Sequence, residues 1–322
     1  LSSMLNTMVI ILAVFVLLLL VPGEAFAWGA GFHLQLGSTV LRNLSSLQPA
    51  LAALLSEFPY DFLYGCIAAD ITIGKKYTHY LQHCHRWPIG FKILARARSK
   101  PQQACALGYL AHLAADIVAH NYFVPFKIMR SFSSLTHKHA YWEMRFESFV
   151  DKEVWETGRR VSMEHYKIND ALLREVLSDT IFSFTTNKRI FNSILLLSRL
   201  EKWQYMLKTA SDLSRYNLEP TDRQEYATLA EEAVFDFLNN LEGSRYFQAD
   251  PTGEKALATA EMVRKNLRIL YTGGKISREE ALGQLEEMKQ RLSSSICKPA
   301  LLQLVYPSLA QIKNYPLARL GL

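Results

Sequence analysis

The sequence predicts an all-α protein, and three observations support this prediction. Apolar residues recur with helical spacing through most of the chain after residue 27. Gly and Pro are sparse, at 15 and 11 of 322 residues, which favours long helices over many short strands and turns. No segment shows the sustained alternation of apolar and polar residues that is typical of a half-buried strand. Hydrophobic residues make up 49% of the chain, so it can bury a sizeable core.

A few residues mark helix starts, and one stretch interrupts the helical pattern. Asp170, Thr221 and Ser277 are suitable N-cap residues near predicted helix starts. The stretch 71–99 contains glycine, proline and many His and Tyr residues, which predicts a long functional loop with short helical turns. The predicted helices cover about 32–46, 47–57, 101–122, 137–158, 168–183, 187–215, 221–243, 254–271, 277–294 and 298–313.

The chain begins with a segment typical of a signal peptide. Residues 8–21 form an apolar run, which is short for a membrane span, and the sequence Ala-Phe-Ala at 25–27 matches a cleavage site. This predicts that 1–27 are removed and that a secreted or periplasmic protein begins at Trp28. Residues 1–7 contain no Lys or Arg, so an uncleaved N-terminal membrane anchor is the alternative.

Charge and cysteine content set weaker limits. The net charge is +6, and a mild basic excess favours encounter with an anionic lipid surface or with nucleic acid, without choosing between them. The spacing of Cys66, Cys84, Cys105 and Cys297 predicts no disulfide pairing, and buried free thiols fit equally well.

Histidines are concentrated in the first half of the chain. Eight of the nine lie between His33 and His139. Histidine is the commonest metal ligand, so this clustering predicts a metal site there. The strongest element is a helix with His112, Asp116 and His120 at i, i+4 and i+8, within about 80° of one another. Its other positions are mostly Leu, Ala, Ile and Val, so the polar side chains would be buried, and metal coordination or a structural His–Asp hydrogen bond would compensate them.

Two further elements provide metal-capable residues. His139 and Glu143 are again i and i+4, a common pair on exposed helices that gains weight beside the first helix. Asp70 is followed by His83 and His85 in the histidine-rich loop, which predicts a mixed oxygen and nitrogen site typical of zinc. Surface histidines are the alternative for this loop.

The sequence WGAGFH, from Trp28 to His33, follows the predicted cleavage site directly. Cleavage would free the α-amine of Trp28, whose pKa of about 8 allows deprotonation and metal binding. Its carbonyl oxygen could close a chelate ring, and the His33 side chain could add a ligand. Alternatively, Trp28 is a buried aromatic residue at a processing site.

Taken in order, these motifs (W…H…D…H…H-x3-D…H…H-x3-E) resemble the zinc-dependent bacterial phospholipase C family, which includes the catalytic domain of clostridial alpha-toxins. The related zinc-dependent single-strand nucleases and 3′-nucleotidases share its fold and N-terminal tryptophan. The resemblance covers about 28–143. It implies a multi-helix bundle around a trinuclear zinc centre, secretion, and hydrolysis of phosphodiester bonds.

The resemblance also implies a ligand set with about three zinc ions. Asp70 is additionally implied as the general base or the residue that orients the attacking water, and Trp87, two residues after His85, favours His85 over His83. The implied ligands are Trp28 and His33 for one ion; Asp70, His83 or His85, and His112 for the second; Asp116 as a bridge between these two; and His120, His139 and Glu143 for the third.

Two features of the sequence depart from the family. Asp116 and His120 are four residues apart where the family usually has six, which puts the third ion in question. No β-sandwich lipid-binding domain follows, so the predicted division is a signal peptide at 1–27, a catalytic domain at 28–247 and a helical C-terminal extension at 248–322.

Three functions remain open. A phospholipase C acting on glycerophospholipids, with contact to a membrane surface and no protein partner, is favoured by the H-x3-E ending. A nuclease or 3′-nucleotidase is favoured by the short spacing between Trp28 and His33. A non-catalytic helical metal-binding protein is the third, because the C-terminal half shows no obvious site.

Overall fold

The computed structural model describes residues 28–72, 84–133, 139–163, 166–177, 183–198 and 218–298. In these ranges every regular element is a helix and there is no strand, so the all-α prediction is confirmed. The α-helices are α1 (Ala30–Arg42), α2 (Pro49–Glu57), α3 (Pro59–Ala68), α4 (Trp87–Arg96), α5 (Lys100–Val118), α6 (Val124–Arg130), α7 (His139–Glu147), α8 (Lys152–Met163), α9 (Lys167–Val176), α10 (Phe184–Ser198), α11 (Pro220–Asn240), α12 (Glu254–Thr272) and α13 (Arg278–Ser295).

The helix starts follow local sequence rules only in part. Several helices begin with proline in the first turn, where the missing N–H costs nothing. The predicted cap at Ser277 is confirmed, because its side chain accepts from the Glu280 N–H in a capping box. The caps predicted at Asp170 and Thr221 are wrong, since α9 and α11 begin earlier. Asp170 instead accepts from the Lys188 ammonium.

The predicted loop at 71–99 contains more helix than expected. Residues 87–96 form the ten-residue helix α4, because Pro88 starts this helix instead of interrupting one. Residues 73–83 lie outside the described ranges, as do 199–217 and 299–322, where further helix is predicted. The single helix predicted at 137–158 is two helices, α7 and α8.

Helices α3 and α5 form the centre of the fold and approach each other backbone to backbone. A Cβ atom on Gly65 would lie 2.0 Å from the carbonyl oxygen of Cys105, and one on Gly108 would lie 2.0 Å from that of Phe62. Only glycine fits at these two positions. The contact places the end of α3, with Asp70 just beyond it, beside the middle of α5.

The C-terminal helices pack on this centre. Helix α11 contacts α5, and α12 contacts α6. The indole of Trp87, at the start of α4, stacks on Phe237 of α11 at 4.2 Å between ring centroids and donates to the carbonyl of Ala249 at 2.9 Å. Among the helices of the described ranges, none combines the length and the apolar character needed to cross a membrane.

Candidate metal centre

The centre is built on α5, which is buried on all sides from Ala104 to Val118. His112 and Asp116 lie one turn apart, and the His112 Nε2 atom is 3.2 Å from Asp116 Oδ2. Both side chains are fully enclosed, at 1% and 0% exposure. The apolar surroundings leave these two groups to compensate each other or to bind something between them.

Two residues from neighbouring segments join this pair. His85, from the turn before α4, places its Nε2 atom 3.2 Å from Asp70 Oδ1 and 3.4 Å from Asp116 Oδ2. Asp70 lies in the short 3₁₀ turn that follows α3, and its Oδ1 atom is 4.0 Å from His112 Nε2. All four side chains are buried, so two carboxylates and two imidazoles converge in one small volume.

His33 enters the centre from α1. Its Nε2 atom lies 3.2 Å from Asp116 Oδ1, and its ring stacks on His112 with centroids 3.7 Å apart. Asp116 therefore faces His33 with one oxygen and His85 and His112 with the other. The sequence predicted this bridging position only through the family resemblance.

A carboxylate on α7 fixes the start of α1. Glu147 accepts hydrogen bonds from the backbone N–H groups of Gly31 and Phe32, at 3.1 and 2.8 Å. A Cβ atom on Gly29 or Gly31 would lie within 2.8 Å of Glu147 atoms, so the glycines of WGAGFH leave the space that this carboxylate fills. A negative charge at a helix N-terminus is also favoured by the helix dipole.

The donor set fits a metal ion. The Nδ1 atom of His112 lies 2.8 Å from the carbonyl oxygen of Cys66, which can only accept, so Nδ1 carries the proton and neutral His112 has its lone pair on Nε2. That atom faces the Nε2 atom of His85 at 3.1 Å. Within the described part of the chain, neither oxygen of Asp116 makes a hydrogen bond, although both are buried.

Two triads of ligand atoms, each within 4.8 Å, can be drawn in this cluster. They are His33, Asp70 and His112, and His85, His112 and Asp116. Nitrogen from imidazole and oxygen from carboxylate is the ligand chemistry of zinc. Convergent lone pairs and a carboxylate without hydrogen bonds are the groups that a bound cation would satisfy.

The pKa values of the two stacked histidines, His33 and His112, are shifted in opposite directions. Burial lowers the pKa of His33, and the neighbouring His112 lowers it further. Burial acts in the same direction on His112, but the attraction of Asp116 and Asp70 outweighs it, so the pKa of His112 is raised. Burial alone would raise the pKa of Asp116, yet His112 and His33 hold it well below its usual range.

His120 lies beyond the end of α5. The helix widens there into a π-helical turn at Ala119–Phe123, a feature frequent at functional sites. The His120 ring is buried, and its Nδ1 atom lies 2.6 Å from the carbonyl oxygen of Pro251. Neither of the two described triads includes His120.

The remaining predicted ligands are described only in part. His139 and Glu143 lie in the first two turns of α7, but their side chains are outside the described part of the structure, as is the whole of His83. The Trp28 ring is fully buried and lies against Phe123 and Phe146, at 6.2 and 5.4 Å between centroids. It thereby joins the start of the described chain to the two elements that carry His120 and Glu143.

Several structural supports were not predicted. Glu147 lies on the same helical face as His139 and Glu143, which indicates a supporting role beside them, but its contact with α1 and the roles of the carbonyls of Cys66 and Pro251 had no signal in the sequence. The glycines around α1 were the one local signal for close packing there. Tyr64 is buried, and its ring stacks on Tyr166 at 4.3 Å between centroids. Within the described part of the chain, the four cysteines form no disulfide with one another.

Comparison with known proteins identifies one family. Residues 32–190 match the family model described as zinc dependent phospholipase C, and this segment contains all the described residues of the cluster. No curated protein and no solved structure matches the chain.

Proposed function

We propose that this chain, which belongs to the zinc-dependent phospholipase C family through residues 32–190, cleaves phosphodiester bonds in glycerophospholipids. Membership of this family supports a zinc-dependent hydrolase of the phospholipase C type. One observation carries the assignment: residues from α1, the end of α3, the turn before α4 and the middle of α5 converge around the buried carboxylate of Asp116. A cluster of buried carboxylates and imidazoles is stable only where protons or cations compensate it.

The described residues that would hold zinc are the five members of the cluster. When bound, zinc supplies Lewis-acid chemistry, which neutralises phosphate charge and lowers the pKa of a water molecule. Asp116 faces two histidines with one oxygen and a third with the other, so its carboxylate is the group that these donors share. We retain about three ions in the proposal, with the third held by the side chains of His120, His139 and Glu143.

Asp70 is the residue we assign to proton transfer. Its carboxylate is buried at 2% exposure and has Oδ1 3.2 Å from the His85 Nε2 atom. A carboxylate in this position can accept a proton from a water molecule or hold that water in line with the phosphorus atom. This role comes from the family resemblance, and Asp70 lies among the other buried members of the cluster.

We further propose export and cleavage before Trp28. The ring of Trp28 is anchored among Phe32, Phe123 and Phe146, so the new amino terminus would be held close to α1. Its α-amine and carbonyl would then be available to zinc, with His33 one turn along the helix. Mass spectrometry of the protein recovered outside the cytoplasm tests this directly, since a mass that includes 1–27 would contradict it.

The substrate is tested with the purified protein that starts at Trp28. Phosphatidylcholine vesicles and single-stranded DNA are offered separately, and release of phosphocholine or of nucleotides is measured with zinc and with EDTA. We expect phosphocholine release that EDTA abolishes and that zinc restores, with no nucleotide release. Nucleotide release alone would support the nuclease alternative, which the short Trp28–His33 spacing favours. Bound zinc without turnover on either substrate would support the non-catalytic alternative.

A further inference from the structure

A short segment between α11 and α12 lies directly against the end of α5. We call residues 249–253 the strap. The Trp87 indole N–H donates to the carbonyl of Ala249 at 2.9 Å, and the Asn121 side-chain amide donates to the carbonyl of Asp250 at 2.8 Å. The Asp250 carboxylate accepts from the backbone N–H and the hydroxyl of Thr252, which closes the strap into a turn.

The strap fixes the orientation of His120. Its Pro251 carbonyl accepts from the His120 Nδ1 atom at 2.6 Å, and both residues are buried. Because a carbonyl can only accept, this contact places the proton on Nδ1 and leaves the lone pair on Nε2. His112 has the same arrangement, with the Cys66 carbonyl in the place of Pro251. Histidines that ligate metals almost always donate their other N–H in this way.

The backbone of the strap is shaped to fit His120. Gly253 has a φ of +58°, and a Cβ atom there would lie 2.3 Å from the His120 carbonyl oxygen and 2.4 Å from the His120 Cβ atom. Two requirements therefore select glycine, a left-handed backbone and close contact with the histidine. Gly274 provides a comparison, since it has a φ of +65° and a Cβ atom added there would meet no other atom within 4 Å.

From these contacts we infer that the strap is a positioning element for His120, so that the chain after residue 247 is needed to complete the metal centre. The inference rests on the proposed function, because it treats His120 as a ligand. It assigns to the C-terminal region a role in building the centre by holding one ligand from outside the segment that matches the family. The residues that act through His120 are Trp87, Asn121 and Gly253.

The test uses the full chain that begins at Trp28. The protein is dialysed against buffered free zinc, and the zinc bound per chain is then measured by elemental mass spectrometry. Gly253→Ala should weaken zinc binding at one position by about 10 to 100-fold, the usual effect of disturbing a group that orients a ligand. Gly274→Ala imposes the same backbone strain with no contact, and it should bind zinc as the parent chain does. Zinc affinity is the readout, because a purely structural strap would leave it unchanged in folded protein.

His120→Ala provides the reference for loss of that ligand. If the strap acts through His120, Gly253→Ala and His120→Ala should affect the same equivalent of zinc, and the double variant should lose no more than His120→Ala alone. Where Gly253→Ala does not fold, Trp87→Phe replaces it, since this change removes the N–H donor to Ala249 and keeps the stacked ring.

Three results would overturn the inference, and a fourth would also contradict the proposed function. Full zinc in folded Gly253→Ala and Trp87→Phe, or additional loss in the double variant, would show that the strap does not act on His120. Full zinc in His120→Ala would remove His120 from the ligand set and the strap with it, while leaving the rest of the centre in place. A parent chain that binds no zinc would contradict the proposed function itself.

Discussion

The Nε2 atoms of His85 and His112 lie 3.1 Å apart, and both side chains are buried, at 1% exposure. Tyr109, one turn before His112, helps to bring them together, because its hydroxyl donates to the carbonyl of Cys84 at 2.6 Å. The lone pair of neutral His112 lies on Nε2, so the two nitrogens can approach this closely only with a proton or a cation between them. Loss of both would leave facing lone pairs that repel each other, so occupancy of the centre should control its stability.

Asp116→Asn should abolish zinc binding at the shared position and reduce kcat/KM by about 10³-fold or more, since a shared ligand supports several kcal/mol of electrostatic stabilisation. The amide keeps the shape of the carboxylate but replaces one oxygen with a group that cannot bind zinc. Metal content and phosphocholine release are measured together. Wild-type zinc content in the Asn variant would remove Asp116 from the proposed centre.

Asp222→Asn is the control for loss of a partly buried carboxylate. Asp222 pairs with the ammonium groups of Lys127 and Lys289, at 2.5 and 3.0 Å, on elements outside the cluster. We expect this variant to lose stability and to keep its zinc. Equal loss of zinc in both variants would indicate general unfolding and not removal of a ligand.

The parts of this centre that could be predicted are those set by a single helix. His112 and Asp116 are one turn apart on a helix with apolar residues on every other side, so their proximity and burial follow from the spacing. The convergence of His33 and Asp70 on this pair needed the order of motifs typical of a family. His85 and His83 could not be separated by spacing, and the structure places His85 in the cluster.

The contacts that support the centre could not be predicted, because they join residues distant in sequence. Glu147 contacts the start of α1 across 116 residues, and Pro251 contacts His120 across 131. A carboxylate or a carbonyl has no local pattern that reveals such a partner, since tertiary packing decides it. The π-helical turn at Ala119–Phe123 could not be predicted either, because the turn contains no Gly or Pro that would indicate it.

Zinc affinity should rise with pH above 6.5. Burial lowers the pKa of His112, but Asp116 and Asp70 outweigh it, so this ring keeps its proton at a pH where an ordinary histidine, with a pKa of 6.5, has lost most of it. Zinc must displace that proton, and affinity should therefore increase until the pH passes the raised pKa. The pKa of His33 is lowered, so His33 should release no proton in this range.

Calorimetric titration with zinc, in buffers of different ionisation enthalpy, measures this proton release. Over an interval that starts at about pH 6.5, we expect proton release that declines as the pH rises, with tighter binding at the upper end. Constant affinity across the interval would show that His112 is already neutral at its lower end and that its carboxylate neighbours do not retain its proton.

Glu147→Gln should destabilise the fold by about 2 kcal/mol, because two hydrogen bonds from backbone N–H groups to a charged acceptor become weaker bonds to a neutral amide. The start of α1 would then be held less firmly, and His33 with it. Unfolding by urea, with and without zinc, measures both effects. Glu153→Gln, on the exposed side of α8, is the control and should change stability by less than about 0.5 kcal/mol. Equal stability of the two variants would mean that Glu147 is not an anchor.

Gly108→Ala tests whether the close contact of α3 and α5 builds the centre. The new Cβ atom would lie 2.0 Å from the Phe62 carbonyl oxygen and 2.8 Å from the Cys66 N atom, so the helices must separate, at a cost of about 3 kcal/mol or more. Separation would also lengthen the bond from His112 Nδ1 to the Cys66 carbonyl, and zinc affinity should fall.

Gly283→Ala is the matched control, because Gly283 is helical and a Cβ atom there meets nothing within 4 Å. Alanine loses less backbone entropy on folding than glycine, so this variant should be more stable by about 0.5–1 kcal/mol. Its zinc affinity should be unchanged. The two glycines thus predict opposite signs for one chemical change. A Gly108→Ala protein as stable as its parent would show that α3 and α5 can move apart freely, and the positions of Asp70 and His112 would then need another cause.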